Sequence, residues 1–352
     1  TTPEVTAAKE LARKLKGKPL TVVGGPHATL LPEDCSGHFD IVVRGEGEAV
    51  IADILANKVR GPLVTVPRLD DVDIMPDWTL FENPFSTTLF PGQRYGTGDK
   101  AATTLFSRGC PFNCHFCGNW LRAPLRYRSV KNIRKELTAL ASHGVHYLRI
   151  EDDCLTLHPQ FERICRLMKR LGFRYKGHTR SDLLTAYHAS VLAKTGCEEC
   201  GLGVESADPK VLKLNNKRET VEDHARAIAI LRKSGIRSKT YLMSGLPGET
   251  DESISLTKRF IADTQPTKWT LSTFTPYPGC AIYKHPERFG VEMLNRDWTT
   301  WWNFVFNHDR SLPGRNGYNH VLKGQTTAQM KARHDDLYQF LKGERWRAST
   351  SA

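Results

Sequence analysis

A chain of 352 residues with 39% hydrophobic and 25% charged residues is long and apolar enough for two or three packed cores, which excludes a disordered or staple-dependent protein. No stretch approaches the roughly 20 apolar residues of a membrane-spanning helix, and the N-terminus lacks the succession of a secretory leader, so a cytoplasmic address without membrane insertion is expected. The net charge of +12 admits anionic ligands, but Lys and Arg are interspersed with Asp and Glu and no basic run carries interleaved aromatics, so no nucleic-acid groove is expected.

The chain opens at Thr1 instead of Met, directly into a helix-like segment, and reads as a fragment or processed product. Thr2 and Pro3 start a helix whose apolar positions Val5, Ala8, Leu11, Ala12 and Leu15 recur at helical spacing until Gly17. Apolar runs at 20–23 and 41–43 read as strands, each ending in a glycine loop: Gly24-Gly25-Pro26 and Gly45-Glu46-Gly47. Residues 61–100 lose all periodicity and read as an ordered linker. Six β-like runs follow, at 102–106, 146–150, 173–178, 199–204, 237–243 and 268–274, alternating with amphipathic helices. Such alternation predicts a parallel sheet, and six units fall short of the eight of a closed barrel. A partial barrel with its site at the C-terminal strand ends is the expectation. The tail from about 284 carries Trp298, Trp301, Trp302, Phe304 and Phe306 and then a polar helix at 328–341, with no catalytic motif.

Nine cysteines are present, and three of them crowd into the segment Cys110-Pro111-Phe112-Asn113-Cys114-His115-Phe116-Cys117 after the first of the six strands. That spacing is too tight for a disulfide framework and suits metal in a reducing compartment. Three thiolates can hold three irons of a cubane and leave the fourth iron without a protein ligand. An open iron can chelate the amino and carboxylate groups of S-adenosylmethionine, whose sulfonium bond a cluster electron then breaks to give a 5'-deoxyadenosyl radical. A zinc site with Cys197 and Cys200 is the alternative, disfavoured because residues three apart on a strand point to opposite faces.

The C-x-x-x-C-x-x-C pattern, with aromatic Phe116 before the last Cys, resembles the radical S-adenosylmethionine superfamily, and the likeness continues in order over 103–283. It implies a partial (β/α)6 barrel, a 4Fe-4S cluster on Cys110, Cys114 and Cys117, and S-adenosylmethionine bound along the strand ends. Glu151-Asp152-Asp153 is similar to the acidic loop that takes an amino group of substrate or cofactor. Arg180 can pair with the methionyl carboxylate, or with Asp182 in a structural salt bridge. Glu205-Ser206 resembles the element whose acid accepts the ribose hydroxyls. Ser244-Gly245 resembles an adenine-side turn, and also suits a plain strand-to-helix turn. Cys154 and Cys280 are candidate hydrogen-atom donors to a substrate radical, against the ordinary role of a small buried hydrophobe.

The N-terminal glycine loops in this order resemble the second half of a cobalamin-binding domain of Rossmann-like form. The likeness implies corrin contacts at Gly24, Gly25, Gly45, Glu46 and Gly47, and gives no ligand role to His27. The motif D-x-H-x-x-G, which carries the axial histidine of classical cobalamin domains, is nowhere in the chain, so cobalamin is implied for an intact protein and open for this chain. The expected organisation is a partial cobalamin-binding-like unit at 1–61, a linker at 62–100, the barrel at 101–285 and an aromatic, helical extension at 286–352. The expected activity is cobalamin-dependent C-methylation of a small molecule or natural product, with an adenosyl-radical cyclase or rearrangement enzyme, or a non-catalytic iron-sulfur or zinc module, as alternatives. An external electron donor such as flavodoxin or ferredoxin is the implied partner.

Overall fold

The computed structural model describes residues 1–15, 17, 19–59, 61–80, 85, 100–118, 124–301 and 318–343. Six parallel strands in sequential order form the main sheet: β4 (Lys100–Thr104), β5 (Val145–Ile150), β6 (Arg174–Thr179), β7 (Cys197–Glu205), β8 (Arg237–Ser244) and β9 (Lys268–Thr273). With β4 and β9 at opposite edges, this is the expected partial barrel. The first strand begins two residues earlier than the apolar pattern suggests, because Lys100 and Ala101 already pair with β5.

Each crossover carries a helix on the convex face: α2 (Val130–Ser142), α3 (Phe161–Arg170), α4 (Ala186–Lys194), α5 (Val221–Lys233) and α6 (Asp251–Thr264). Ser129, Thr185, Thr220 and Thr250 start four of them, each accepting the backbone N–H three residues on. Leu148, Ile150, Leu202, Val204, Leu242 and Leu271 meet Ile133, Ile164, Leu192, Ile228 and Ile261 in one buried core between sheet and helices. The alternation of β6 and β8 turns every other residue to the concave face, and those residues are polar: Lys176, His178, Lys239 and Tyr241.

β7 departs from that alternation. Cys197 pairs with Tyr175 and Glu199 with the next residue, Lys176, so Glu198 is an extra residue on the strand. The bulge returns Cys197 and Cys200 to the same, helix-facing side, in contrast to the opposite faces expected from an ideal pleat; both are buried in the apolar core.

The N-terminal segment has α1 (Val5–Leu15) and a parallel sheet of β1 (Val22–Val23), β2 (Ile41–Arg44) and β3 (Leu63–Thr65). Leu63–Thr65 lies in the stretch read as linker from 62, yet pairs with β2. The extension adds an antiparallel pair, β10 (Val291–Met293) with β11 (His320–Leu322), and α7 (Thr327–Gly343), which packs on α6. Trp298 and Trp301 are buried with Val5, Ala28 and Val42, so the tail's indoles form a core with the N-terminal segment. Trp302, Phe304 and Phe306 lie outside the described residues.

Candidate active site

The three cysteines sit in one loop at the C-terminal end of β4. Gly109, at φ 101°, supplies the left-handed turn into Cys110. The loop is fastened to the segment after β7: the His115 N–H donates to Asn215 O at 2.9 Å, and the Asn216 amide donates to Asn113 O at 2.6 Å. The far strand end adds the Ile282 N–H, which donates to His115 O at 3.3 Å. Cys114 is buried, and Cys110 and Cys117 are half-buried. Cys154 hydrogen-bonds to Cys110, which draws the Cys110 thiol down to about 7 and drives its partner upward. Burial pushes Cys114 up, against the pull of the Lys217 and Arg180 cations.

Behind Cys114 lies a buried charge cage. The Arg180 guanidinium stacks on Phe112, 3.8 Å from the ring centroid, and its Nη1 stands 3.9 Å from Cys114 Sγ. Nε and Nη2 grip Asp182 at 3.0 and 3.1 Å, and Nη2 also donates to Lys217 O at 2.9 Å. Glu219, fully buried, accepts the Ser181 N–H at 2.6 Å and faces Arg180 at 3.4 Å and Lys217 at 3.1 Å. The Lys217 ammonium also reaches Glu205 Oε1 at 3.4 Å. Glu205 itself has φ 64°, an unusual conformation for a side-chain-bearing residue, which turns its carboxylate at the strand end.

Arg180 is thus committed to Asp182, the structural alternative of the sequence reading, with its remaining face toward the cysteine loop. Lys217 and Glu219 were not singled out from sequence. Their only signal is the polar run Asn215-Asn216-Lys217-Arg218-Glu219 after a short helix, with Asn216 and Arg218 both at positive φ.

The acidic loop divides by role. Asp152 is 1% exposed and turns inward: its oxygens accept the Phe106 N–H at 2.7 Å and the Ser107 hydroxyl at 2.5 Å, so both are spent on bracing β4 against β5. Burial pushes its carboxyl up to about 6. Glu151 pairs with Arg149, and Asp153 lies near enough to Cys110 to act on it electrostatically. Asp152 is therefore a brace, in place of the expected amino-group ligand.

Three further expectations change. Ser206 turns its hydroxyl to the Asp208 N–H at 3.2 Å, within its own turn. Ser244 meets Tyr318 Oη at 3.0 Å and His334 Nδ1 at 2.7 Å, and a Cβ on Gly245 would lie 2.3 Å from the Tyr318 ring, so this turn is packed under the C-terminal extension. Cys280, fully buried, accepts the Tyr283 N–H at 3.2 Å and caps a short helix, the placement of a small buried residue. Cys154 lies beside the cysteine loop, on Cys110. Phe116 packs at the edge of the core around Leu246 and Ile282, 6.0 Å from the Lys217 ammonium.

The N-terminal residues are mostly engaged. Glu46, 3% exposed, accepts from Arg108 at 2.9 Å, Arg126 at 2.5 Å and the Leu69 N–H at 2.8 Å, tying this segment to the strand pair around the cysteine loop. A Cβ on Gly45 would fall 2.5 Å from Val66 O, so that glycine serves the approach of the next segment. His27 is buried between Asp34 and Thr2. Gly25 and Gly47 face open space, and a Cβ on Gly24 would make only ordinary contact with Val43.

A family model described as the Radical SAM superfamily matches residues 104–261, which begin at the end of β4 and run through the cysteine loop and the charge cage. Residues 104–261 are a radical SAM domain. Curated relatives of this radical SAM chain include an uncharacterized methyltransferase of Pyrococcus horikoshii, 29% identical over 80% of this chain and 65% of the relative. The anaerobic magnesium-protoporphyrin IX monomethyl ester cyclase of Rubrivivax gelatinosus is 29% identical over 80% and 56%, and the hopanoid C-3 methylase of Methylococcus capsulatus 29% over 84% and 60%. The chain thus spans between about half and two thirds of these relatives. The radical S-adenosylmethionine methyltransferase TsrM of Kitasatospora setae, solved with cobalamin and a [4Fe-4S] cluster, shares the fold at a TM-score of 0.66 and 16% identity, covering 96% of this chain and 75% of that one.

The donor set fits the cluster that a radical SAM protein carries. Among the described residues no three Cys, His, Asp or Glu side chains close on a single metal ion, whereas a cubane spreads its thiolates over separate irons. Burial raises the Cys114 thiol, and the two cations beside it, Lys217 and Arg180, offset part of that rise. The five N-terminal residues do not by themselves build a corrin site: Gly45 and Glu46 are spent on the chain, leaving Gly24, Gly25 and Gly47 as accessible backbone.

Proposed function

We propose that this radical SAM enzyme acts on an unactivated carbon of a small molecule or natural product, and that the reaction is C-methylation with cobalamin as the methyl carrier. The observation that carries the radical reading is the loop of three cysteines, Cys110, Cys114 and Cys117, pinned at the end of the first barrel strand beside a buried guanidinium. When bound, the cluster supplies the electron that cleaves the sulfonium of S-adenosylmethionine. Asp152 keeps the loop in register with β5, and Arg180 with Glu219 holds the segment that the loop rests on. Glu205 is the proposed acceptor of the ribose hydroxyls, Glu151 and Asp153 the proposed contacts of the amino group, and Phe116 lies at the proposed adenine side. The methyl-transfer reading draws on the methyltransferase and methylase among the relatives; the corrin would meet the backbone of Gly24, Gly25 and Gly47. An acidic flavodoxin or ferredoxin suits the net charge of +12 as electron donor.

Cyclisation by an adenosyl radical is the second reading, favoured by the cyclase among the relatives. Anaerobic reconstitution with iron and sulfide separates the possibilities. With reductant, 5'-deoxyadenosine is expected from the native chain and none from Cys114→Ala; equal formation by that variant would remove the cluster assignment. Label passing from the S-methyl group into a product supports methylation, and turnover without label transfer supports the cyclase.

A further inference from the structure

The cysteine loop shows Pro111 and Asn113 to solvent, and its exposed side is framed by cations. The His115 Nδ1–H donates to Leu214 O at 3.0 Å, and its ring lies 5.0 Å from Phe289. The residue after Cys114 is therefore wedged between the end of the short helix Pro209–Leu214 and the turn Pro286–Phe289. Each contact brings an exposed cation with it. Lys213 precedes Leu214, and Arg288 precedes Phe289. Arg218 Nε donates to Asn216 Oδ1 at 3.0 Å, and the Asn216 amide in turn holds Asn113 O. Among the described residues none of Lys213, Arg218 and Arg288 takes part in an ion pair. The carboxylate of the same turn, Glu287, faces His285 at 3.9 Å. Leu214, 41% exposed, sets an apolar side chain among the three charges.

Exposed like charges steer an oppositely charged surface into contact, and an exposed apolar side chain among them gives that contact a centre to desolvate. We infer that this side of the cysteine loop is the docking surface of an acidic one-electron carrier protein, a low-potential flavodoxin or ferredoxin. Lys213, Arg218 and Arg288 meet the carrier's carboxylates, and Leu214 sits at the middle of the contact. A carrier seated on His115 stands one residue from Cys114 and two from Cys117. It gives up one electron and is oxidised, and the electron enters at the cysteine loop with no transfer of atoms. The assignment rests on the radical SAM reading for what the electron does; the docking itself follows from the surface.

The test is equilibrium binding of the reconstituted full chain to a reduced flavodoxin and, separately, to a reduced ferredoxin, at low and high salt, with 5'-deoxyadenosine formation driven by each carrier or by dithionite. At least one carrier binds, and salt weakens the binding. Lys213→Glu/Arg288→Glu weakens it about tenfold or more and lowers carrier-driven formation, while dithionite-driven formation, iron content and the thermal midpoint stay native. Lys169→Glu/Lys194→Glu, the same charge change in the surface groove between α3 and α4, leaves carrier binding unchanged. No binding of either carrier, or equal weakening by both double variants, overturns the surface, and dithionite-driven formation then still upholds the radical reading. A chain that binds a carrier through Lys213 and Arg288 but forms no 5'-deoxyadenosine with dithionite overturns the radical reading and leaves the surface standing.

Discussion

Arg180 shows how the fold weighs two roles that a position on a strand end leaves open. Its location after β6 suits a cofactor carboxylate, but the adjacent Asp182 and the distant Glu219 and Cys114 claim the guanidinium first. Replacing Arg180 with Leu would leave Glu219 and Asp182 without this partner in a buried setting, and a loss of about 3–5 kcal/mol is expected in denaturant unfolding; a change within 1 kcal/mol would contradict the cage. Glu249 gives a pH test. Burial pushes its carboxyl up to about 7, and its Oε2 accepts the Gly245 N–H at 2.8 Å. Because the folded state binds this proton more tightly than the unfolded state, stability falls as pH rises from the ordinary Glu range to about 7 and is level above it. Glu249→Gln should flatten that fall, leaving the variant less sensitive than the native chain between pH 5 and 8 in thermal unfolding. The buried histidines act in the opposite sense and overlap that window: His320, pushed to about 4, and His224, to about 3, destabilise the fold as pH drops below the ordinary imidazole value. The Glu249 contribution is therefore read as the difference between the native and Glu249→Gln curves.

The elements were the most legible level. Apolar spacing and glycine stops predicted six strands and their helices in order, because a parallel sheet covered by helices leaves a continuous apolar signature on every unit. The bulge in β7 was not legible: Cys197-Glu198-Glu199-Cys200 obeys no alternation that marks an inserted residue, and only pairing with β6 reveals it. The third N-terminal strand escaped notice because three residues carry too little periodicity. The turn after β8 depends on its neighbours in the same way. Gly245 has φ 81° and lies under Tyr318, so Gly245→Ala must both strain the backbone and displace the ring. A loss of about 1–3 kcal/mol is expected, with loosened hydrogen-exchange protection in α7; unchanged protection there would show that the extension does not rest on this turn.

At the scale of the molecule, two contacts join segments far apart in sequence. Glu46 links the N-terminal sheet to Arg108 and Arg126 around the cysteine loop, and Trp298 with Trp301 links the same sheet to the tail. Trp301→Ala should cost roughly 3–5 kcal/mol of local stability and expose the amides of 22–44 to exchange while the barrel amides stay protected; uniform loss across the chain would mean one cooperative unit. Glu46→Gln should lower iron retention after reconstitution, measured against a native control, since Arg126 would lose its buried carboxylate; full retention would place the tie outside the cluster's support. The sequence by itself determined the radical SAM likeness, the order of the barrel elements and the crowding of Cys110, Cys114 and Cys117 into one loop, all of which depend on local spacing. Only the tertiary structure decided which polar residues are spent on the protein itself. Asp152, Arg180, Ser244 and Glu46 each find partners on other elements, and a buried polar group takes whichever partner the fold brings within reach. The same folding brings Lys213, Arg218 and Arg288, from two segments of the chain, to the rim of the cysteine loop.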